Sequence, residues 1–223
     1  MDAIGPAIII LGPPGSGKSL QADLLGETLG LIHFDSGRYL EKLLHENRLK
    51  QKIKEEFKKG LLVDPRWFLG LVKREIRKIR KAGFGLVLAG SFRTSFEAFG
   101  DKKTPGLLDL LTKLYGKENI FIFRLNVLPS VSLKRNRERL VCESCHLAPI
   151  NPKRMKICPR CGGKLIKRQI DDPRIIKARL DEYKERSEPV VEEFRKRGLA
   201  VIEIDGEMKP IEVFRSIFKS LNI

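Results

Sequence analysis

From Gly12 to Ser19 the chain reads GPPGSGKS, with Gly12-x-x-x-x-Gly17-Lys18-Ser19 as the chemically loaded spacing. Glycines placed this way let the backbone wrap a polyphosphate, so that successive N–H groups and a helix N-terminus face one anion. Lys18 supplies a point charge to the outer phosphates, and the Ser19 hydroxyl can ligate a magnesium ion. The alternative is a glycine-rich turn that binds nothing. A buried-strand run before the motif, a helical pattern after it and the lysine within it argue against that turn. The chemistry is nucleotide binding, with the reaction still open.

Four cysteines form the second group, and the chain has no others. Cys142-x-x-Cys145 and Cys158-x-x-Cys161 each offer two thiolates, and together they close a tetrahedral four-thiolate site. The polar loop between them is rich in proline and lysine, and Gly162-Gly163 supplies the tight turn after the second pair. A site with no open position is structural, so a bound Zn2+ is expected to pin a subdomain too small to build its own core. Two disulfides are the alternative, disfavoured in a reducing compartment. Cys142-x-x-Cys145-His146 also matches a haem-attachment string, which needs export and leaves the second pair unexplained. His146 is expected in solvent.

These groups need elements to hold them. Ala7 to Leu11 is a short apolar run of the kind buried on both faces of a sheet, and Leu20 to Leu29 is helix-like. Leu31 to Phe34 reads as a short extended piece opening into Asp35-Ser36-Gly37-Arg38. Helical periodicity follows at Tyr39, Leu40, Leu43 and Leu44, and again from Lys50 to Lys59, where Gly60 stops it. Asp64-Pro65 starts a further helix that runs to about Lys81 and ends at Gly83. Gly85–Gly90, Phe121–Leu125 and Ala200–Ile204 are further strand candidates, and a closing amphipathic helix runs from Ile211 to Leu221. Strands alternating with helices predict an α/β fold with a parallel sheet flanked by helices and ligands at the strands' C-terminal ends.

A length of 223 residues and a hydrophobic fraction of 42% suit one well-buried core with an insertion or two. No apolar run approaches the roughly 18 residues of a membrane span. The N-terminus carries no secretory pattern, so a cytoplasmic protein without membrane partners is expected. Lysine and arginine outnumber acids 44 to 28, for a net charge of +16. That excess suits nucleic acid or a phosphorylated small molecule, or is a solvated surface, as Ile76 and Ile79 within REIRKIRK suggest. With no RNA-binding aromatic motif and no helix-turn-helix pattern, nucleic acid is not the expected partner.

Taken together, the GPPGSGKSLQ stretch, a strand leading to Gly90-x-x-Arg93-Thr94 and a late four-cysteine insertion resemble the adenylate kinase family, and the resemblance covers nearly the whole chain. It implies a P-loop NTPase fold with a core over 1–34, 68–139 and 173–223, a helical monophosphate-binding insertion over 35–67, and a zinc-ribbon lid over 140–172. It also implies reversible phosphoryl transfer from ATP, with Mg2+, to a nucleoside monophosphate, in a protein expected to be a monomer. By resemblance, Gly12, Gly15, Ser16, Gly17, Lys18, Ser19, Leu20, Arg135 and Arg139 serve ATP. Ser36, Arg38, Val63, Gly90, Arg93, Glu97, Arg168 and Arg179 serve the monophosphate, with Gly60 to Val63 as the turn that packs on adenine. Lys18, Arg93, Arg135, Arg168 and Arg179 would surround the phosphoryl group in transfer. Arginine suits the task because its planar fork donates two hydrogen bonds to one phosphate and keeps its charge.

The sequence departs from the family at several of these places. The acid that usually ends the second strand is Ala89, and another usual acid is Arg38; Asp35 is the nearest substitute. An arginine is usual at Glu41, whose role would pass to Arg38. The paired acids after Arg168 have become Ile170-Asp171. Glu97 stands where a glutamine reads adenine. A carboxylate accepts but does not donate, which suits the N–H donors of guanine, unless it is protonated or turned to a lysine. Three readings follow: an AMP-directed kinase, the same fold acting on another monophosphate such as GMP, and a degenerate nucleotide-binding module.

Overall fold

The computed structural model of the chain describes residues 5–150 and 155–221. In chain order its strands are β1 (Ala7–Leu11), β2 (Ile32–Asp35), β3 (Leu86–Ala89), β4 (Ile120–Asn126), β5 (Val141–Cys142), β6 (Leu165–Ile166) and β7 (Val201–Asp205). Five of them form one parallel sheet in the order β2-β3-β1-β4-β7, and β5 and β6 pair antiparallel apart from it. The helices are α1 (Lys18–Leu29), α2 (Ser36–His45), α3 (Gln51–Lys58), α4 (Pro65–Lys81), α5 (Ser95–Phe99), α6 (Leu107–Tyr115), α7 (Pro129–Glu138), α8 (Pro173–Glu182), α9 (Glu188–Lys196) and α10 (Pro210–Ser220).

Every expected strand, and the short extended piece, joins that one sheet. β1 is buried along its whole length, as a central parallel strand must be. Its side chains alternate between two layers. Ile8 and Ile10 pack with Ala22 and Leu25 of α1 and Val213 and Ile217 of α10, while Ile9 and Leu11 face the layer of α2, α4, α6 and α9. Phe68 of α4 and Phe194 of α9 are fully buried there. Truncating either to alanine should cost about 3–5 kcal/mol.

Differences from the sequence reading lie in the connections. α1 begins at Lys18 rather than Leu20, because Gly17 adopts a left-handed conformation and turns the chain straight into the helix. Helices α5 to α9 add to the sequence reading, and their start signals are local: Thr94 caps α5, Asp172 caps α8, and prolines stand in the first turns of α7, α8 and α9. A π-helical turn at Tyr183–Ser187 joins α8 to α9. No helix among the described residues is long and apolar enough to cross a membrane. Of the proline- and lysine-rich loop between the cysteine pairs, residues 151–154 lie outside the described residues.

Candidate active site

A cleft of about 640 Å³ opens at the C-terminal ends of the sheet strands, where the fold class places ligands. Its floor is the loop between β1 and α1. Gly12, Gly15 and Gly17 all have positive φ there, conformations that glycine adopts without strain. Lys18 Nζ donates to the carbonyls of Gly12 (2.7 Å) and Pro13 (2.8 Å), folded over the loop it would share with a phosphate. The Ser19 hydroxyl donates to Asp35 Oδ2 at 2.5 Å. Ser132 of α7 donates to the Pro14 carbonyl and ties the loop to the next layer.

Distant parts of the chain bring cations to the rim. Arg135 and Arg139 come from the end of α7, Arg168 from the segment after β6, and Arg179 from α8, and all four line the cleft with Lys18. Their crowding registers electrostatically. Burial, then the neighbouring charges of Arg139 and Arg168, push the Arg179 pKa down to about 10. Burial, then Arg179, push that of Lys18 down to about 7. Like charges held this close in a partly dry cleft are stabilised when a polyanion enters.

Most of these arginines rest on protein carboxylates and carbonyls. Arg139 Nε donates to Asp171 Oδ2 at 3.0 Å, and Arg179 approaches Asp171 Oδ1 at 3.5 Å. Arg168 Nε donates to Glu41 Oε1 at 2.8 Å. Arg135 donates to the Gly206 carbonyl at 2.7 Å. Arg93 stacks 3.6 Å over the Phe68 ring and pairs with Glu97 at 3.4 Å.

All the residues assigned to ATP by resemblance line the cleft, as do Arg38, Gly90, Arg93, Arg168 and Arg179. Ser36, Val63 and Glu97 do not. Ser36 donates to the Gly90 carbonyl at 2.6 Å, and Val63 is buried in the core. Glu97 is fully buried, and its partner is Arg93 rather than a lysine, through the backbone N–H (2.9 Å) and the guanidinium. Burial raises the Glu97 pKa against the pull of Arg93. Arg38 reaches the cleft, yet both of its terminal nitrogens donate to Asp23, at 3.0 and 2.7 Å. For Asp23, burial opposes ionisation, but hydrogen bonds from His33 and Arg38 win and hold its pKa well below the carboxylate range. His146 stands apart from the four-sulfur cluster and is half-buried in the cleft wall.

Sequence reasoning gave no role to Asp23, and named Glu41 and Asp171 solely as departures. Each now anchors an arginine 15, 127 or 32 residues away. No local signal connects such partners.

The four cysteine sulfurs lie within 4.8 Å of one another at the base of the β5–β6 hairpin. Cys142 and Cys161 Sγ are 3.4 Å apart, and Cys145 and Cys158 Sγ 3.5 Å. Zinc–sulfur bonds of about 2.3 Å would set tetrahedral sulfurs about 3.8 Å apart, so the cluster fits that ion. Backbone N–H groups of Cys145 and Arg160 point at the Cys142 and Cys158 sulfurs, an orientation suited to thiolates. A Cβ at position 163 would stand 2.9 Å from the Cys142 sulfur, which leaves room for glycine alone.

The family model described as adenylate kinase matches residues 10–199. Among curated relatives, adenylate kinase from Kosmotoga olearia is 33% identical over 219 residues, covering 96% of this chain and 98% of its own. Adenylate kinase from Methanocella arvoryzae is 35% identical, covering 92% of this chain and 93% of its own. Adenylate kinase from Archaeoglobus fulgidus is 30% identical, covering 96% and 99%.

Proposed function

This chain belongs to the adenylate kinase family, and on that premise we propose that its cleft joins ATP to AMP and yields two ADP. It is a phosphotransferase, a nucleoside monophosphate kinase. The observation that carries the finer reading is the convergence of Lys18, Arg139, Arg168 and Arg179, from four separate parts of the chain, on one cleft.

In this reading the donor's phosphates lie in the Gly12–Gly17 loop, against backbone N–H groups and the N-terminus of α1. Lys18 leaves the Gly12 and Pro13 carbonyls for the outer phosphates. Arg135 and Arg139 hold the donor side, Arg93 and Arg168 the acceptor side, and Arg179 sits between them. The bond from the γ-phosphorus to its bridging oxygen breaks as a bond from an AMP phosphate oxygen to the same phosphorus forms. Charge spreads over the transferred oxygens, so fixed guanidiniums do most of the catalytic work. A magnesium ion, held through Ser19, would neutralise charge on the donor phosphates.

Residues 35–67 serve as the acceptor segment and 140–172 as a lid that excludes water, because a transferable phosphoryl group open to solvent would be hydrolysed. A Zn2+ ion on Cys142, Cys145, Cys158 and Cys161 would give the lid its rigidity. The Glu97 carboxylate, spent on Arg93, gives no support to a guanine-directed site.

A coupled assay with ATP, Mg2+ and each nucleoside monophosphate tests the proposal. AMP should give the highest kcat/KM. Preference for another monophosphate would overturn the AMP assignment, and ATP binding without turnover of any acceptor would leave a nucleotide-binding module.

A further inference from the structure

In P-loop proteins a cation on the loop's serine is steadied by a carboxylate from a strand end beside it. The strand beside β1 on that side is β3, and it ends in Ala89, which has no donor to offer. The sheet supplies an acid from one strand further out. Asp35, the last residue of β2, is the register partner of Ala89, so the two side chains leave the same face at the same edge. Ala89 is small and Gly90 has no side chain, which clears a path across the end of β3. Through that gap the Asp35 carboxylate reaches the Ser19 hydroxyl at 2.5 Å.

The carboxylate is divided in its duties. Oδ1 accepts from the backbone N–H groups of Gly37 (2.9 Å) and Arg38 (3.1 Å) and caps α2. Oδ2 faces Ser19, with Arg38 Nε 3.6 Å away on its other side. The other carboxylates lining the cleft stand elsewhere: Glu41 on Arg168, Glu182 on Arg186, and Glu138 in the last turn of α7. Asp35 is thus the cleft acid joined to the loop serine.

We propose that Asp35 is the positioning residue for the nucleotide-bound magnesium ion, holding its water shell from β2 in place of an acid at position 89. This rests on the reading of the cleft as an ATP site. It makes Asp35 and Ala89 an exchangeable pair, with one acid needed and either strand end able to carry it.

The test is calorimetric titration of ATP into the full chain, with MgCl2 and with EDTA, for the wild type, Asp35→Asn and Asp35→Asn/Ala89→Asp. Asparagine keeps the helix cap and removes the charge. Asp35→Asn should weaken the magnesium-dependent gain in ATP affinity by about 10–100-fold, the usual cost of losing such a partner. The added Ala89→Asp should restore most of it. An unchanged magnesium gain in Asp35→Asn, with ATP still bound in EDTA, would overturn the role of Asp35 and leave the ATP site standing. No ATP binding by the wild type in either buffer would overturn the site itself, and this inference with it. Wild-type protein with 13C-labelled aspartate gives an arm that needs no variant. Mn2+ added to the ATP complex should broaden the Asp35 carboxyl signal, and a sharp signal would refute the proposal.

Discussion

The two halves of the cleft are built by different means. On the donor side, one continuous stretch from β1 through the Gly12–Gly17 loop into α1 presents backbone groups, and its geometry follows from glycines at fixed positions. On the proposed acceptor side the working groups are arginine side chains resting on carboxylates: Arg93 on Glu97, four residues on, and Arg168 on Glu41, from a distant segment. A backbone anion site is set before the ligand arrives. A side-chain site must exchange one anion for another, so its affinity is a difference between protein carboxylate and ligand phosphate.

The largest expected effect falls where the halves meet. Arg179→Ala should lower kcat by about 10³–10⁵-fold, the value of a guanidinium on a phosphoryl group in transfer. Steady-state kinetics with both substrates saturating would check it, and a loss below tenfold would place Arg179 on one half alone. Next is the lid. Cys158→Ser, or metal removal by a chelator, should abolish the expected one zinc per chain and lower kcat by about 10²-fold through misplaced Arg139 and Arg168. Metal analysis beside kinetics would check it, and full turnover without metal would separate the lid from the chemistry.

The legibility of the molecule follows the same division. The five sheet strands were readable because each is a short apolar run between turn residues, and the phosphate loop because its chemistry is a matter of spacing within eight residues. The cysteine pairs were readable for the same reason. The acceptor site was not. Glu97 invites a base-reading role in the sequence, but it is fully buried, its carboxylate is taken by the Arg93 backbone N–H and guanidinium, and it does not line the cleft. Arg38 was expected to hold the acceptor phosphate in place of an arginine at 41, and Asp23, fifteen residues earlier, holds its donors instead. The Arg38–Asp23 pairing depends on how α2 docks on α1, which no local pattern records.

A smaller effect sharpens the comparison. Glu41→Gln loosens Arg168 toward the acceptor, and should lower the AMP KM by about fivefold, roughly 1 kcal/mol and the usual net worth of one hydrogen bond, with the ATP KM unchanged. Equal shifts in both would show that Arg168 serves the two halves alike.

The smallest effect is on stability. Asp23 has a folded pKa below its unfolded value of about 3.9, so its contribution is complete above that pH and fades as the pH falls through the folded pKa. Asp23→Asn should cost about 1–3 kcal/mol near pH 7 and progressively less as the wild type is acidified. Urea unfolding at pH 7 and pH 3 would check it, and an equal loss at both would mean that the charge on Asp23 contributes nothing.

In the proposed reaction one cleft seats two nucleotides with their phosphates facing. Titration of two adenosines joined through five phosphates tests it most directly. One should bind per chain, about 10²-fold or more tighter than ATP alone, with that gain lost in Arg179→Ala. Binding no tighter than ATP, or a gain indifferent to Arg179, would contradict it.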